Sequence, residues 1–154
     1  MKFLTPLATL LSTASAAAIS PRQAPESVSV KVTNLQCQPR GTTCFLTFEV
    51  RSSASSPPLV CTATTQASST IPSVPNESCS DPNAVFSFTA EGSGHPAFLS
   101  FTWTSSWERG VQKVHAARAF STGDFSRDQT GTQSYVGPKD FVISGVTTSL
   151  IIRQ

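Results

Sequence analysis

The stretch from Val28 to Val50, VSVKVTNLQCQPRGTTCFLTFEV, constrains the fold more than any other because it sets two apolar alternations on either side of a short polar turn. Val28, Val30 and Val32 recur at every second position, and Leu46, Phe48 and Val50 do the same after the turn. A period of two belongs to a half-buried strand, so the stretch predicts a β-hairpin. Pro39-Arg40-Gly41-Thr42 supplies the turn, with φ fixed at Pro39 and Gly41 expected to take φ > 0. Cys37 and Cys44 flank it. Arms paired in this way bring the two Cβ atoms near the roughly 3.5 to 4.5 Å that a disulfide spans.

The remainder reads as more strands laid against this hairpin. Serines and prolines from Arg51 to Pro58 break the pattern, and Leu59, Cys61 and Ala63 resume it. Residues 64–83 carry Pro72, Pro75 and Pro82 without amphipathic period and read as a long loop, which needs a tether in a compact domain. A bond between Cys61 and Cys79 would supply it, adding about 3 kcal/mol by loop-closure entropy, against about 2.5 kcal/mol for Cys37 with Cys44. Of the three pairings that four cysteines allow, these two each flank one loop. Asn76-Glu77-Ser78 in the same loop is an N-glycosylation sequon.

Phe86, Phe88 and Ala90, then Ala97, Leu99, Phe101 and Trp103 after a Gly-rich turn at 91–96, predict a second hairpin whose aromatic stripe is core rather than a ligand box. Trp107-Glu108-Arg109-Gly110 reads as a turn, and 111–121 as a strand rather than a helix. Residues 123–137 read as a polar loop, and Lys139 to Ile152 as two β-branched runs with a bulge or sharp bend at Gly145. The expected class is all-β: a single antiparallel β-barrel or sandwich of about seven to nine strands, stapled by disulfides.

Residues 1–18 have a lysine at position 2, an apolar run to Leu11 and the small residues Ala16 to Ala18, the pattern of a secretory signal peptide. The run is too short for a membrane anchor. The expected organisation is a signal at 1–18, a flexible mature N-terminus at 19–27, and one β domain at 28–154. Loss of Lys2 lowers the net charge from +2 to +1, ten basic against nine acidic residues. Basic residues are scattered singly, which argues against nucleic acid as a partner. Four cysteines behind a secretion signal predict disulfides in an extracellular protein. Their spacing and the position of both histidines argue against a metal, and no cofactor motif occurs.

No catalytic constellation emerges. Ser93 and His95 lie on one tight turn, where the imidazole cannot stand behind the hydroxyl as a base. Asp124 and Asp128 are the only closely spaced carboxylates in a loop, too little for a glycosidase dyad, and His115 alternates with apolar neighbours as a strand residue. The chain is therefore expected not to be an enzyme. Among residues outside the predicted core, Trp107 and Arg109 stand out as partner contacts, because Trp and Arg are enriched in interface hot spots.

Gly137-Pro138-Lys139-Asp140-Phe141-Val142, followed by Gly145-Val146 and the β-branched end Leu150-Ile151-Ile152, resembles the C-terminal motif of the Alternaria major allergen family of small secreted fungal proteins. Cys61 and Cys79 sit where that family has its first disulfide. Ile143 stands where the family has one partner of a second, and the loop at 123–137 lacks the other, so Cys37 and Cys44 would replace that staple. The extra cysteine that links the allergen dimer is also missing, leaving a monomer or non-covalent dimer as the expectation. The resemblance implies a non-enzymatic extracellular β-barrel among allergens and effectors, with the motif in a structural role. The first expectation for function is therefore an effector-like or allergen-like protein that binds a host macromolecule, such as a plant extracellular defence protein. A carrier of a small apolar or phenolic ligand is the second, and a hydrolase whose site converges from distant loops the third.

Overall fold

Alternation at period two yields strands throughout. The computed structural model of the chain describes residues 25–52, 56–67, 69–92, 96–107 and 110–152. The predicted signal at 1–18 lies outside them, as do residues 19–24 of the predicted flexible segment. Ser27, assigned to that segment from sequence, instead opens the first strand and pairs with Ser144.

The strands are β1 (Ser27–Cys37), β2 (Thr43–Arg51), β3 (Leu59–Gln66), β4 (Val74–Ser78), β5 (Ala84–Thr89), β6 (Phe98–Trp107), β7 (Gly110–Ala119), β8 (Phe125–Arg127), β9 (Gln133–Tyr135), β10 (Asp140–Ser144) and β11 (Thr147–Ile152). One sheet runs β3-β2-β1-β9-β8, with β10 paired to the first half of β1. The other runs β11-β7-β6-β5-β4. All pairings are antiparallel, and the two sheets pack face to face without closing, so of barrel and sandwich the fold is the sandwich.

The eleven strands exceed the seven to nine expected because short strands hide inside segments read as loops. β4 occupies part of 64–83, while β8 and β9 form a small hairpin inside 123–137. Three to five residues give too few alternations to betray a strand, and neighbours stabilise these ones. Buried Gln133 accepts a hydrogen bond from the Ile71 amide at 3.0 Å through its Oε1, and its own amide donates to the Ser69 carbonyl at 2.8 Å. The Arg127 guanidinium donates to Thr70 Oγ1 at 3.1 Å and to the Gly131 carbonyl at 2.9 Å. The loop between β3 and β4 is thereby pinned to the β8–β9 hairpin.

The first hairpin forms as the alternation requires, with one refinement. Val28, Val30 and Val32 face the core, but so do Leu35 and Cys37, which have the opposite parity. A β-bulge between Val32 and Asn34 absorbs the extra residue and turns Cys37 inward, directly opposite Cys44. The two cysteines are bonded, as are Cys61 and Cys79. In the turn, the Gly41 amide donates to the Gln38 carbonyl at 3.0 Å, and the left-handed residue is Arg40, at φ 57°, not Gly41. Pro39 and Arg40 occupy the central positions, so the position that demands positive φ falls one residue earlier than the glycine.

Phe48, from β2, packs edge-on against Phe86 at 5.6 Å and Phe101 at 6.0 Å, both from the opposite sheet. A second aromatic group, Phe88, Phe120, Phe125, Tyr135 and Phe141, fills the other end with mostly edge-to-face contacts. The Arg118 guanidinium caps it, 4.0 Å above the Phe141 ring. Gly145, at φ +76°, is the corner at which the chain leaves β10 in one sheet for β11 in the other. Of the bulge and the sharp bend expected there, it is the bend.

Two measurements test this account. Arg40→Gly removes a left-handed side-chain penalty and is expected to raise the urea midpoint, by up to about 1 kcal/mol in stability. Phe141→Ala, which empties a site under Arg118, is expected to cost roughly 3 to 5 kcal/mol, whereas Lys139→Ala, fully at the surface, leaves the melting temperature unchanged.

Candidate functional site

Each carboxylate singled out from sequence is engaged in its own turn. Asp128 Oδ1 accepts from the Thr130 amide at 2.8 Å, the Thr130 hydroxyl at 2.6 Å and the Thr132 amide at 2.9 Å. The Thr130 hydroxyl, then the amides, hold this carboxyl below its ordinary pKa. Asp124 accepts from the Ser121 amide at 2.8 Å and starts a short 3-10 turn, Thr122–Asp124. His115 is exposed on β7, with Nδ1 3.1 Å from Thr102 Oγ1 across the pair with β6. Ser93 and His95 lie outside the described residues. The structure does not gather Asp124, Asp128 and His115 into either of the two clefts described below. No cluster of three or more metal-ligating side chains occurs among the described residues.

The motif from Gly137 to Val146 serves the fold at nearly every position. A Cβ on Gly137 would stand 2.6 Å from Asp124 Oδ1 and 2.7 Å from the Tyr135 hydroxyl, so any larger residue there would displace those side chains. The Tyr135 hydroxyl donates to the Pro138 carbonyl at 2.8 Å. Burial and then the Asp124 charge push its pKa up, against the opposing Arg118 charge. Lys139 offers its carbonyl to the Val32 amide at 2.7 Å, Phe141 is buried opposite Val30, and Val146 packs on the core edge. Val142 is an apolar exception, 58% exposed on the outer face with Asp140 and Ser144.

Around Val142 the register builds a patch. Arg51, Ser29 and Val142 form one cross-strand row over β2, β1 and β10, and Glu49, Lys31 and Asp140 form the next. All six line a shallow cleft of about 430 Å³. It presents one exposed apolar side chain, Val142 on β10, beside charges of both signs on β1, β2 and β10. Lys31 and Glu49 alternate with the apolar residues of the hairpin arms, while Arg51, read from sequence as the start of a break, is the last residue of β2. Only the pairing of β10 with β1, which no local pattern announces, puts Val142 among them.

A second cleft, of about 790 Å³, opens at the end of the sandwich beyond the aromatic core. Half-buried Trp103 forms its floor with Val28, Val50, Leu59 and Val114, and buried Gln112 brings an amide there. Ser105 Oγ donates to Gln112 Oε1 at 3.5 Å. Of the predicted contact residues, Arg109 is outside the described residues, as is the side chain of Trp107. The strand was expected to lapse before Trp107. Instead β6 continues through Ser105 and Ser106, and Trp107 pairs with Gly110. Polar Ser and Thr on an exposed face simply lack the alternation that reveals a strand.

Asn76 of the sequon is exposed on β4, not in a loop, at a bulge where it adopts φ 48°. Its amide donates to Ser87 Oγ at 3.0 Å, and the Ser87 hydroxyl donates back to Asn76 Oδ1 at 3.2 Å.

The Asp128 turn yields a pH-dependent expectation. Its carboxyl has a folded pKa below the unfolded value, so its stabilising contribution is present above about pH 3.9 and is lost as pH falls through the lower folded value. Urea midpoints of wild type should exceed those of Asp128→Ala at about pH 6, and the gap should narrow toward about pH 2.

Comparison with family models, with curated proteins and with solved structures finds no match to this chain.

Proposed function

We propose that the protein is a secreted, non-enzymatic, effector-like or allergen-like protein of fungal type that acts by binding a host macromolecule, with a plant extracellular defence protein as the partner class. The observation that carries this reading is the Val142 patch: a large apolar side chain, 58% exposed on β10, beside Asp140 and Lys31, with Glu49 and Arg51 two strands across. Exposed apolar area next to charges of both signs supplies both kinds of contact that protein interfaces use. Secretion is supported by the leader-like residues 1–18 and by two disulfides, which persist in oxidising compartments. Among the described residues no helix is long and apolar enough to cross a membrane.

The Trp103 cleft favours a second reading, as carrier of a small ligand. Phe48, Phe86 and Phe101 fill the centre of the sandwich, so a ligand would sit at the open end, flat on Trp103 with a polar group toward Gln112.

Affinity capture from host apoplastic fluid, with binding of the captured protein then measured against Val142→Asp, tests the first reading. The variant is expected to keep the wild-type melting temperature and to bind at least tenfold more weakly, about 1.4 kcal/mol. Unchanged affinity would remove the patch from the interface.

A further inference from the structure

Of the three asparagines in the chain, only Asn76 is followed two positions later by a hydroxyl residue, Ser78, with a residue other than proline between them. The fold explains Asn76 in part. It takes φ 48°, a left-handed conformation that asparagine tolerates better than most residues, at the point where the pairing of β4 with β5 shifts between Val74 and Glu77. Its backbone amide donates to Ser87 Oγ at 3.0 Å, and the Ser87 hydroxyl donates to Asn76 Oδ1 at 3.2 Å. The fold does not explain the rest of the sequon. Neither Asn76 Nδ2 nor the Ser78 hydroxyl makes a hydrogen bond to any described residue.

The surroundings leave room for a bulky group. β4 is the end strand of its sheet, and Pro75, Asn76, Glu77 and Ser78 are all exposed. Pro75 offers no amide donor, the register shift bends the strand, and Glu77 brings charge, all devices that keep another strand from adding to an edge. The bonds that tie this segment to β3 follow the sequon. Cys79 is bonded to Cys61, and the Ser80 amide donates to the Val60 carbonyl at 2.7 Å. A sugar linked to Asn76 Nδ2 would extend from an edge that the fold leaves open.

We infer that Asn76 carries an N-linked oligosaccharide, attached at Nδ2 during secretion. The inference rests on the secreted reading given above, because the sugar donor and its transferase belong to the secretory pathway. In the transfer, Nδ2 displaces a polyprenyl diphosphate from the anomeric carbon of a lipid-linked oligosaccharide. The carbon–nitrogen bond forms, the carbon–oxygen bond to the diphosphate breaks, and the amide nitrogen gives up one proton. Both bonds to Ser87 survive, since they use the Asn76 backbone amide and Oδ1, which the linkage leaves in place. The order of events follows from the fold. Once β4 has paired with β5 and Cys79 has closed on Cys61, the Asn76 side chain is held against Ser87 within a strand and cannot enter an enzyme site, so transfer precedes both.

Expression of the full chain with its own leader in a yeast, with intact mass and peptide mapping of the protein recovered from the medium, tests the inference. Wild type is expected to carry one oligosaccharide on the peptide that contains Asn76, removed by peptide-N-glycosidase. Ser78→Ala should lose it completely and Ser78→Thr should keep it. Neither substitution removes a side-chain bond of the fold, so both should match deglycosylated wild type in melting temperature once they too are deglycosylated. Secreted wild type without the oligosaccharide overturns the inference and leaves secretion standing, whereas a chain retained in the cell with residues 1–18 uncut overturns both. A sugar that persists in Ser78→Ala overturns the assignment to this sequon. Unmodified chain made in a bacterial periplasm and offered to microsomes that hold the lipid-linked donor should accept sugar only when reduced and unfolded, and modification of the folded, oxidised chain overturns the order of events.

Discussion

The edge-on packing of Phe48 between Phe86 and Phe101 is the contact on which the sandwich depends. It joins β2, which lies between β3 and β1, to β5 and β6 of the facing sheet, and all three rings are fully buried. Removing such a ring from a packed interior costs roughly 3 to 5 kcal/mol, a large part of the stability of a domain this size. Every other feature of the core is arranged around keeping these rings in phase. Leu46 and Val50 flank Phe48 on the same face of β2, and Leu99 with Phe88 extends the layer on the other side.

Two sheets brought together in this way must still connect, and the chain crosses between them at points where backbone rules are bent. Gly145 takes a left-handed conformation at the last crossing, which lets β10 leave one sheet and β11 enter the other within two residues. At the β3–β4 seam the crossing is longer, and the disulfide from Cys61 to Cys79 holds what the short strand β4 cannot hold alone. The bulge in β1 does comparable work inside a strand. Without it, the parity set by Val28, Val30 and Val32 would send Cys37 outward, away from Cys44.

Long strands with clean alternation were legible from the residues, and so were the two disulfides, because each pair brackets a single loop. β1, β2, β3, β5 and the first part of β6 follow the apolar periods directly. Legibility ended where side chains carry no period. The Ser-Thr run before Trp107 hid the end of β6, and the three-residue strands β8 and β9 depend on Gln133 and Arg127 reaching to a loop some sixty residues away in sequence. The Val142 patch was illegible for the same reason. Its motif could be noticed, but the row it forms with Ser29 and Arg51 exists only through a pairing between the two ends of the domain.

The distribution of polar groups bears on what such a molecule can do. One oxygen each of Asp81, Asp124 and Asp128 accepts from backbone amides of its own turn, the Asn83 amide lying 2.9 Å from Asp81. At Asp128 those hydrogen bonds favour the charged form and oppose proton uptake. Lys31, Glu49, Arg51 and Asp140 stand together on one outer face, where their cross-strand rows give a fixed pattern of sign beside Val142. A fixed charge pattern on rigid strands discriminates between partners, because a mismatched surface must leave charges unpaired as they lose water. Phe48, Phe86 and Phe101 already occupy the centre of the sandwich, so the cleft beyond Trp103 lies outside that buried layer.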